Sequence, residues 1–187
     1  SLNSFGTRYS LLGMNSRINS EEILFGFGSG FSAFFSDLFS LNVSSGLLKV
    51  LFNRTYQSPG SFGSLRVFDS SSFPPSRISS VLVGSPLSNI GLLFGGLDTS
   101  TTFRNDLWLL NYSSSSVGWT WVHGSNFSSN KGIYPSSHFM NSFNSSLMPA
   151  SRGYHTGFSS NNFFYVFGGS YSGGVFSDLW KISLFPP

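Results

Sequence analysis

Short apolar runs separated by clusters of serine, glycine and proline set the rhythm of this chain. Runs rich in Phe, Leu, Val and Tyr end in glycine at 23–26, 92–96 and 165–169. Their length and unbroken apolar character suit strands buried on both faces. The Pro, Gly and Ser clusters between them recur too often for a helical period to develop. The most apolar stretch, 23–35, lies between Glu22 and Asp37 and is interrupted by glycines. It is shorter than the roughly 20 residues a spanning helix needs, so it reads as a strand and its loop, and no transmembrane segment is expected.

The runs belong to a repeat of roughly 70 residues, and internal repetition outranks other signals. The first landmark is the run itself, closing at Gly26, at Gly95 and Gly96, and at Gly168 and Gly169. The second follows the first glycine by ten or eleven residues and consists of an Asp, a Leu and an aromatic residue. Its copies are Asp37 with Phe39, Asp106 with Trp108, and Asp178 with Trp180. The third is an arginine 16 to 18 residues before that glycine, Arg8, Arg77 and Arg152. Pro75 and Ser76 lead into Arg77, and Ala150 and Ser151 lead into Arg152. A glycine pair at a strand end permits positive φ and close backbone approach. The Asp is expected to bond backbone N–H groups where the next strand begins. The aromatic residue two positions on shares its face and is expected to wedge between neighbouring sheets. A fourth strand fits 119–122, which holds Trp119 and Trp121, and in the first copy 47–51 takes that place.

This ordered set resembles the kelch repeat, whose pattern has a proline and arginine opening a first strand, Gly-Gly closing the second, an Asp-Leu-Trp third strand and a Trp in the fourth. The second and third copies match it well. The first is degenerate, with Phe27 in the place of the second glycine and Phe39 in the place of Trp. The resemblance implies an all-β fold, a partial kelch-type β-propeller of about three four-stranded antiparallel blades with the last incomplete. The chain, 1–187, then forms a single segment with repeats at about 6–52, 74–122 and 149–187. The family closes its ring across the termini, which would give residues 1–5 the role of one short strand. Propellers close with about four to eight blades, so the missing blades are expected from other protein chains, from a second copy or from a longer parent chain.

Composition sharpens this picture. Charged residues make up only 9% of the 187 residues, while hydrophobic ones make up 40% and aromatic ones 18%. A surface so poor in charge suits a chain held within a larger assembly or covered by glycans. The net charge of +3 is scattered, without the basic stripe of a dedicated nucleic-acid binder. With no cysteine, disulfides, thiolate metal sites and thiol nucleophiles are excluded. Asn42, Asn53, Asn111, Asn126 and Asn144 stand in Asn-x-Ser/Thr acceptors, though a serine-rich chain produces several by chance. An organellar assembly or an extracellular setting is therefore favoured over the free cytosol.

In antiparallel blades, the loops between strands two and three share a face with the connections between blades. Here both sets are long, at 97–105 and 170–177, and at about 52–73 and 123–148. Such loops are the usual place for recognition. The candidate binding residues are Arg54, Tyr56, Arg66, Phe103, Arg104, His123, Lys131, Tyr134, His138 and Tyr171. No catalytic constellation stands out. His123 and His138 share a loop without a third ligand at a convincing spacing, and His155 falls within the repeat, where a packed, hydrogen-bonded role is expected. The glycine-rich 26–30 lacks the lysine of a phosphate loop. No metal or cofactor is expected. The leading expectation is a non-enzymatic binding or scaffold module that presents its loops to a protein partner. The alternatives are a structural subunit of a large complex, and a carbohydrate-binding or enzymatic propeller.

Overall fold

The computed structural model describes residues 8–16, 20–53, 56–85, 88–113, 116–135, 146–161 and 163–183. Arg54, His138, Asn144 and residues 1–5 lie outside them. The described residues form strands, bridges and turns and no helix, so none offers a helix long and apolar enough to cross a membrane. The first sheet runs in the order β1 (Leu12–Asn15), β2 (Glu22–Gly26), β3 (Leu38–Asn42) and β4 (Leu48–Phe52), each strand antiparallel to the next. A short β5 (Arg77–Ile78) then leads into β6 (Val81–Gly84) and β7 (Ile90–Phe94). β8 (Leu97–Asp98) pairs back with β5, and β9 (Leu107–Tyr112) and β10 (Val117–His123) complete a second four-stranded sheet, ordered β6-β7-β9-β10. The third sheet joins β11 (Thr156–Ser160) to β12 (Phe163–Phe167). After a small hairpin of β13 (Ser170–Tyr171) and β14 (Gly174–Val175), β15 (Leu179–Ser183) pairs with β12. No sheet closes on itself.

The sheets lie side by side in chain order, with β1 against β6 and β6 against β11. Two cores fill the gaps. Leu12, Leu24 and Leu38 meet Leu82, Leu93, Trp108 and Trp119 between the first and second sheets. Leu92, Phe94 and Leu107 meet Phe164, Val166 and Trp180 between the second and third. The period of two in a strand explains this division. In each Asp-Leu-aromatic segment the leucine, Leu38 or Leu107, turns to the following sheet, and the aromatic residue, Trp108 or Trp180, turns to the preceding one. Both faces of the middle sheet are therefore apolar, which is why its strands read as continuous apolar runs.

The three landmarks of the repeat converge on one hydrogen-bonded knot. Arg77, fully buried, donates from both terminal nitrogens to the Asp106 carboxylate at 2.8 and 2.7 Å. It also donates to the carbonyls of Gly95 and Pro75. The Trp108 indole N–H donates to the same carboxylate at 2.8 Å. Arg152 repeats these contacts with Asp178, Gly168 and Ala150, and the Trp180 indole N–H donates to Asp178. Arg8 pairs with Asp37 in the same two-pronged way and lies 3.8 Å from the centre of the Phe35 ring. The Phe39 ring has no N–H to add there. The aspartates thus bind arginine, and indole where there is one, rather than the backbone N–H groups expected from sequence. A guanidinium matches a carboxylate in a planar fork, and burial makes that match decisive.

The structure also moves the glycine pair of the first copy by one residue. Phe27 N–H donates to the Asp37 carbonyl, as Gly95 N–H does to that of Asp106 and Gly168 N–H to that of Asp178. Phe27 (φ 57°) therefore stands at the first glycine position, beside Gly95 (63°) and Gly168 (65°), and Gly28 (89°) at the second, beside Gly96 and Gly169 (both 97°). A side chain at the first position is tolerable because Phe27 is fully buried, edge-on to Trp119. At the second position a Cβ on Gly96 would fall 2.6 Å from the Ile78 carbonyl oxygen, and one on Gly28 would fall 2.8 Å from that of Tyr9. Ser10, Ser79 and Tyr154, each two residues after a repeat arginine, share a further left-handed position.

Replacing Asp106 with Asn leaves Arg77 buried with its charge uncompensated. The expected loss is about 3–5 kcal/mol of unfolding free energy in urea denaturation. Asp178→Asn, whose side chain is 26% exposed against 0% for Asp106, costs less. Equal losses at the two sites would contradict burial as the source of the effect.

Candidate functional site

Each connection between sheets folds back along the same path. Ser61 bridges Phe73 in the first connection, and Ile133 bridges Met148 in the second. Ser58 N–H bonds the Ser76 hydroxyl, and Asn130 N–H bonds that of Ser151. This register sets an aromatic ring against the indole of the following sheet. Phe62 packs on Trp108 at 5.0 Å and Tyr134 on Trp180 at 5.1 Å. Tyr134 goes further, because its hydroxyl donates to Asp178 and accepts from Arg152. Phe62 stands where Tyr134 does, and each follows by two positions a glycine of positive φ, Gly60 and Gly132.

Beside Tyr134 lies an open cleft of about 610 Å³ between the connection 129–134, Phe103 and the hairpin that carries Tyr171. Four of the residues expected on the loop face, Phe103, Lys131, Tyr134 and Tyr171, line it together. Its remaining walls include Asn130, Ser151, Phe176 and Asp178, which the reading of the loops did not single out. Phe176 had a signal, since it precedes Asp178 by two positions as Phe35 precedes Asp37. Each of these rings lies under the repeat arginine, at 4.0 Å from Arg152 and 3.8 Å from Arg8. Tyr171 packs on Phe176 at 4.9 Å. The cleft is thus rich in aromatic side chains, and Lys131 is among the residues that line it.

The charges within it are settled by its floor. Burial pushes the Asp178 carboxyl up, but Arg152, the Trp180 indole and the Tyr134 hydroxyl together outweigh that and hold it below the usual carboxylate range. Burial pushes the Tyr134 hydroxyl above its usual value, and the Asp178 carboxylate adds to this against the pull of Arg152. Asp178 is therefore neutralised by Arg152, which leaves Lys131 to set the sign of the cleft.

The other expected loop residues lie apart from it. Arg104 is bound to Asp98 and to the Asn126 carbonyl, so its charge is spent on holding the 97–105 loop. Arg66 donates to the Val122 carbonyl, and Tyr56 is exposed on a turn. His123 ends β10 and accepts the Gly124 N–H. Of the glycosylation acceptors, Asn53, Asn111 and Asn126 are exposed, while the Asn42 side-chain oxygen accepts two bonds from Ser45 in a turn. His155 is buried against Phe94 with its Nε2 on the Phe94 carbonyl. Among the described residues, no three His, Asp or Glu side chains come together as a metal would require.

No protein-family model matches the chain, and no curated protein does. Among solved structures it is similar to that of YjhT, at 17% identity and a TM-score of 0.47. The similarity covers 87% of this chain and 34% of that one, so the chain spans about a third of the length of the structure it matches.

His155 gives the fold a pH dependence of definite sign. Burial, reinforced by the Arg152 charge and opposed by the bond to Phe94, lowers its pKa from 6.5 to about 4. The unfolded chain binds a proton that the folded one refuses between those values. Stability is therefore full above about pH 6.5 and falls by up to ~1.4 kcal/mol per pH unit toward pH 4. Urea denaturation at pH 7.5 and pH 5 is expected to show this loss, and His155→Gln is expected to flatten it. Identical pH slopes for the two proteins would refute the assignment.

Proposed function

We propose that the chain is a segment of a kelch-type β-propeller, its three sheets acting as blades, and that it works as a non-enzymatic binding module within a larger assembly. The Arg-Asp knot repeated at one place in each sheet supports the family and the blade reading. The convergence of Phe103, Lys131, Tyr134 and Tyr171 on one cleft carries the function. These residues come from three separate loops and are braced by the Arg152–Asp178 pair, which suits a preformed recognition site. Its chemistry fits an extended protein segment with apolar or aromatic side chains against Tyr171 and Phe176 and a carboxylate near Lys131.

A specific observation also favours a structural subunit. The outer face of the third sheet leaves Phe158, Phe167 and Leu179 about half exposed or more, and charged residues are only 9% of the chain. Such a surface suits burial against further protein, in an organellar or extracellular assembly.

A random peptide library displayed against the intact chain tests the binding role. Selected peptides are expected to share an apolar residue and an acidic one. Tyr171→Ala and Lys131→Glu are each expected to weaken their binding at least about tenfold, equivalent to 1.4 kcal/mol. Tyr56→Ala, on a distant turn, is expected to leave it unchanged. Binding that survives both cleft substitutions, or a library that yields no sequence preference, would overturn the reading.

A further inference from the structure

Between Ser61 and Phe73, which exchange backbone bonds at 2.9 and 2.8 Å, the first connection makes a compact loop whose ends meet. Its outer part, 63–69, crosses the edge of β10, the outermost strand of the second sheet. Arg66 N–H donates to the Trp121 carbonyl at 2.7 Å, and its Nε donates to the Val122 carbonyl at 3.3 Å. The loop holds β10 from both faces. Trp119 and Trp121 point to one face of the strand, and a side chain at Gly118 would point to the other. Phe62 packs edge-on against Trp121 at 5.2 Å on the first face. Phe68 lies on the second, where a Cβ on Gly118 would fall 2.5 Å from its Cε2 and 3.1 Å from its Cζ. Gly118 is outside the left-handed φ region, so room for this ring is what its missing side chain provides.

The backbone direction shows what is covered. The Trp121 carbonyl that Arg66 reaches faces away from β9, so the backbone groups of Trp119 and Val117, two and four positions back, face outward as well. An edge row of this kind is a template for pairing with another strand, and proteins commonly blunt it with lysine, proline or a bulge. β10 has neither lysine nor proline, and its one irregularity comes at the far end, between Trp121 and His123. The row is nevertheless closed to solvent at its centre, since Trp119, backbone included, is 1% exposed.

We infer that segment 63–69 is a strap that seals the outer edge of the second sheet against pairing with another strand, with Arg66 and Phe68 as its two fastenings. Strap and edge both lie in the interior of the sequence, and their contact depends neither on the reading of the sheets as blades nor on the cleft. The fastening is light. Leu65, Val67 and Phe68 are 46%, 55% and 61% exposed, and Arg66 makes its bonds from a left-handed φ of 63°, uncommon outside glycine. A segment that buries so little surface opens locally without unfolding the sheet beneath it. The strap is therefore the element that decides when the edge is available.

Amide hydrogen exchange in the intact chain tests the seal. Gly118→Val places a strand-favouring side chain where the Phe68 ring lies, and Phe68→Ser removes the ring from a largely exposed position. In the wild type, Trp119 N–H is expected to exchange slowly although it faces away from β9. Either substitution is expected to speed it at least about tenfold, while Thr120 N–H, which faces β9, keeps its rate. Sedimentation at micromolar concentration reads the consequence. Both variants are expected to form larger species than the wild type does. Val117→Pro, which removes an outward N–H at the first position of the strand, is expected to reverse this when added to either. Trp119 exchange that stays slow in both variants would overturn the inference. So would Phe68→Ser that speeds Thr120 equally, since the ring then supports the sheet rather than sealing its edge. Association that Val117→Pro leaves unreduced would do the same, because it would run through apolar side chains and not through the edge.

Discussion

The paired arginine and aspartate of each repeat fix the rest of this structure. The chain has only seven acidic side chains, and three of them serve this purpose. Each pair ties the residue that opens a repeat to the residue that opens its third long strand, some 26 or 29 positions later. It also takes in the carbonyl at the end of the second strand, as at Gly95 and Gly168. One buried guanidinium thus sets the ends of three chain segments in fixed relation, using donors that would otherwise demand water. The alternation of leucine and aromatic residue after the aspartate is then forced to point one toward each neighbouring sheet. Ion pairs this deeply buried are weak contributors to net stability, but breaking one is costly.

Much of this was legible in the spacing of the residues. The arginine, glycine and aspartate positions can be read from the sequence because they recur at nearly the same spacing from copy to copy. What they do to one another was less legible. Asp106 looks like a turn residue that caps backbone N–H groups, and only the fold brings Arg77 to it from 29 positions away. The first glycine pair was misplaced by one residue because a phenylalanine holds a left-handed position. Phe27 can do so only because Trp119, nearly a hundred residues on, receives its ring. Ser10, Ser79 and Tyr154 adopt the same backbone conformation although the third does not share the serine of the other two.

The cleft shows the same division. Loop lengths point to one face, and only some of its expected residues come together. Phe103, Lys131, Tyr134 and Tyr171 meet because the connection 123–148 is bridged back onto the entry to the third sheet. Arg104 lies in the same loop as Phe103 but is drawn away by Asp98, whose carboxylate also receives Ser100 and Thr102. Sequence reasoning sees an exposed arginine and a long loop. It cannot see that the loop folds by consuming the arginine's charge.

Asp178 links the scaffold to the cleft. It completes the third knot and also forms part of the cleft floor through the Tyr134 hydroxyl. In the first two repeats the equivalent carboxylates are nearly or wholly buried, whereas Asp178 retains 26% of its side-chain exposure. Of the three copies of one structural device, the third is thus the one open to solvent, and it is bordered by aromatic rings and a lysine. A ligand seated there would lie against a group whose geometry the fold has already fixed, so little ordering of the floor would be required on binding. Anything that loosens the Arg152–Asp178 pair therefore disturbs the sheet and the cleft together.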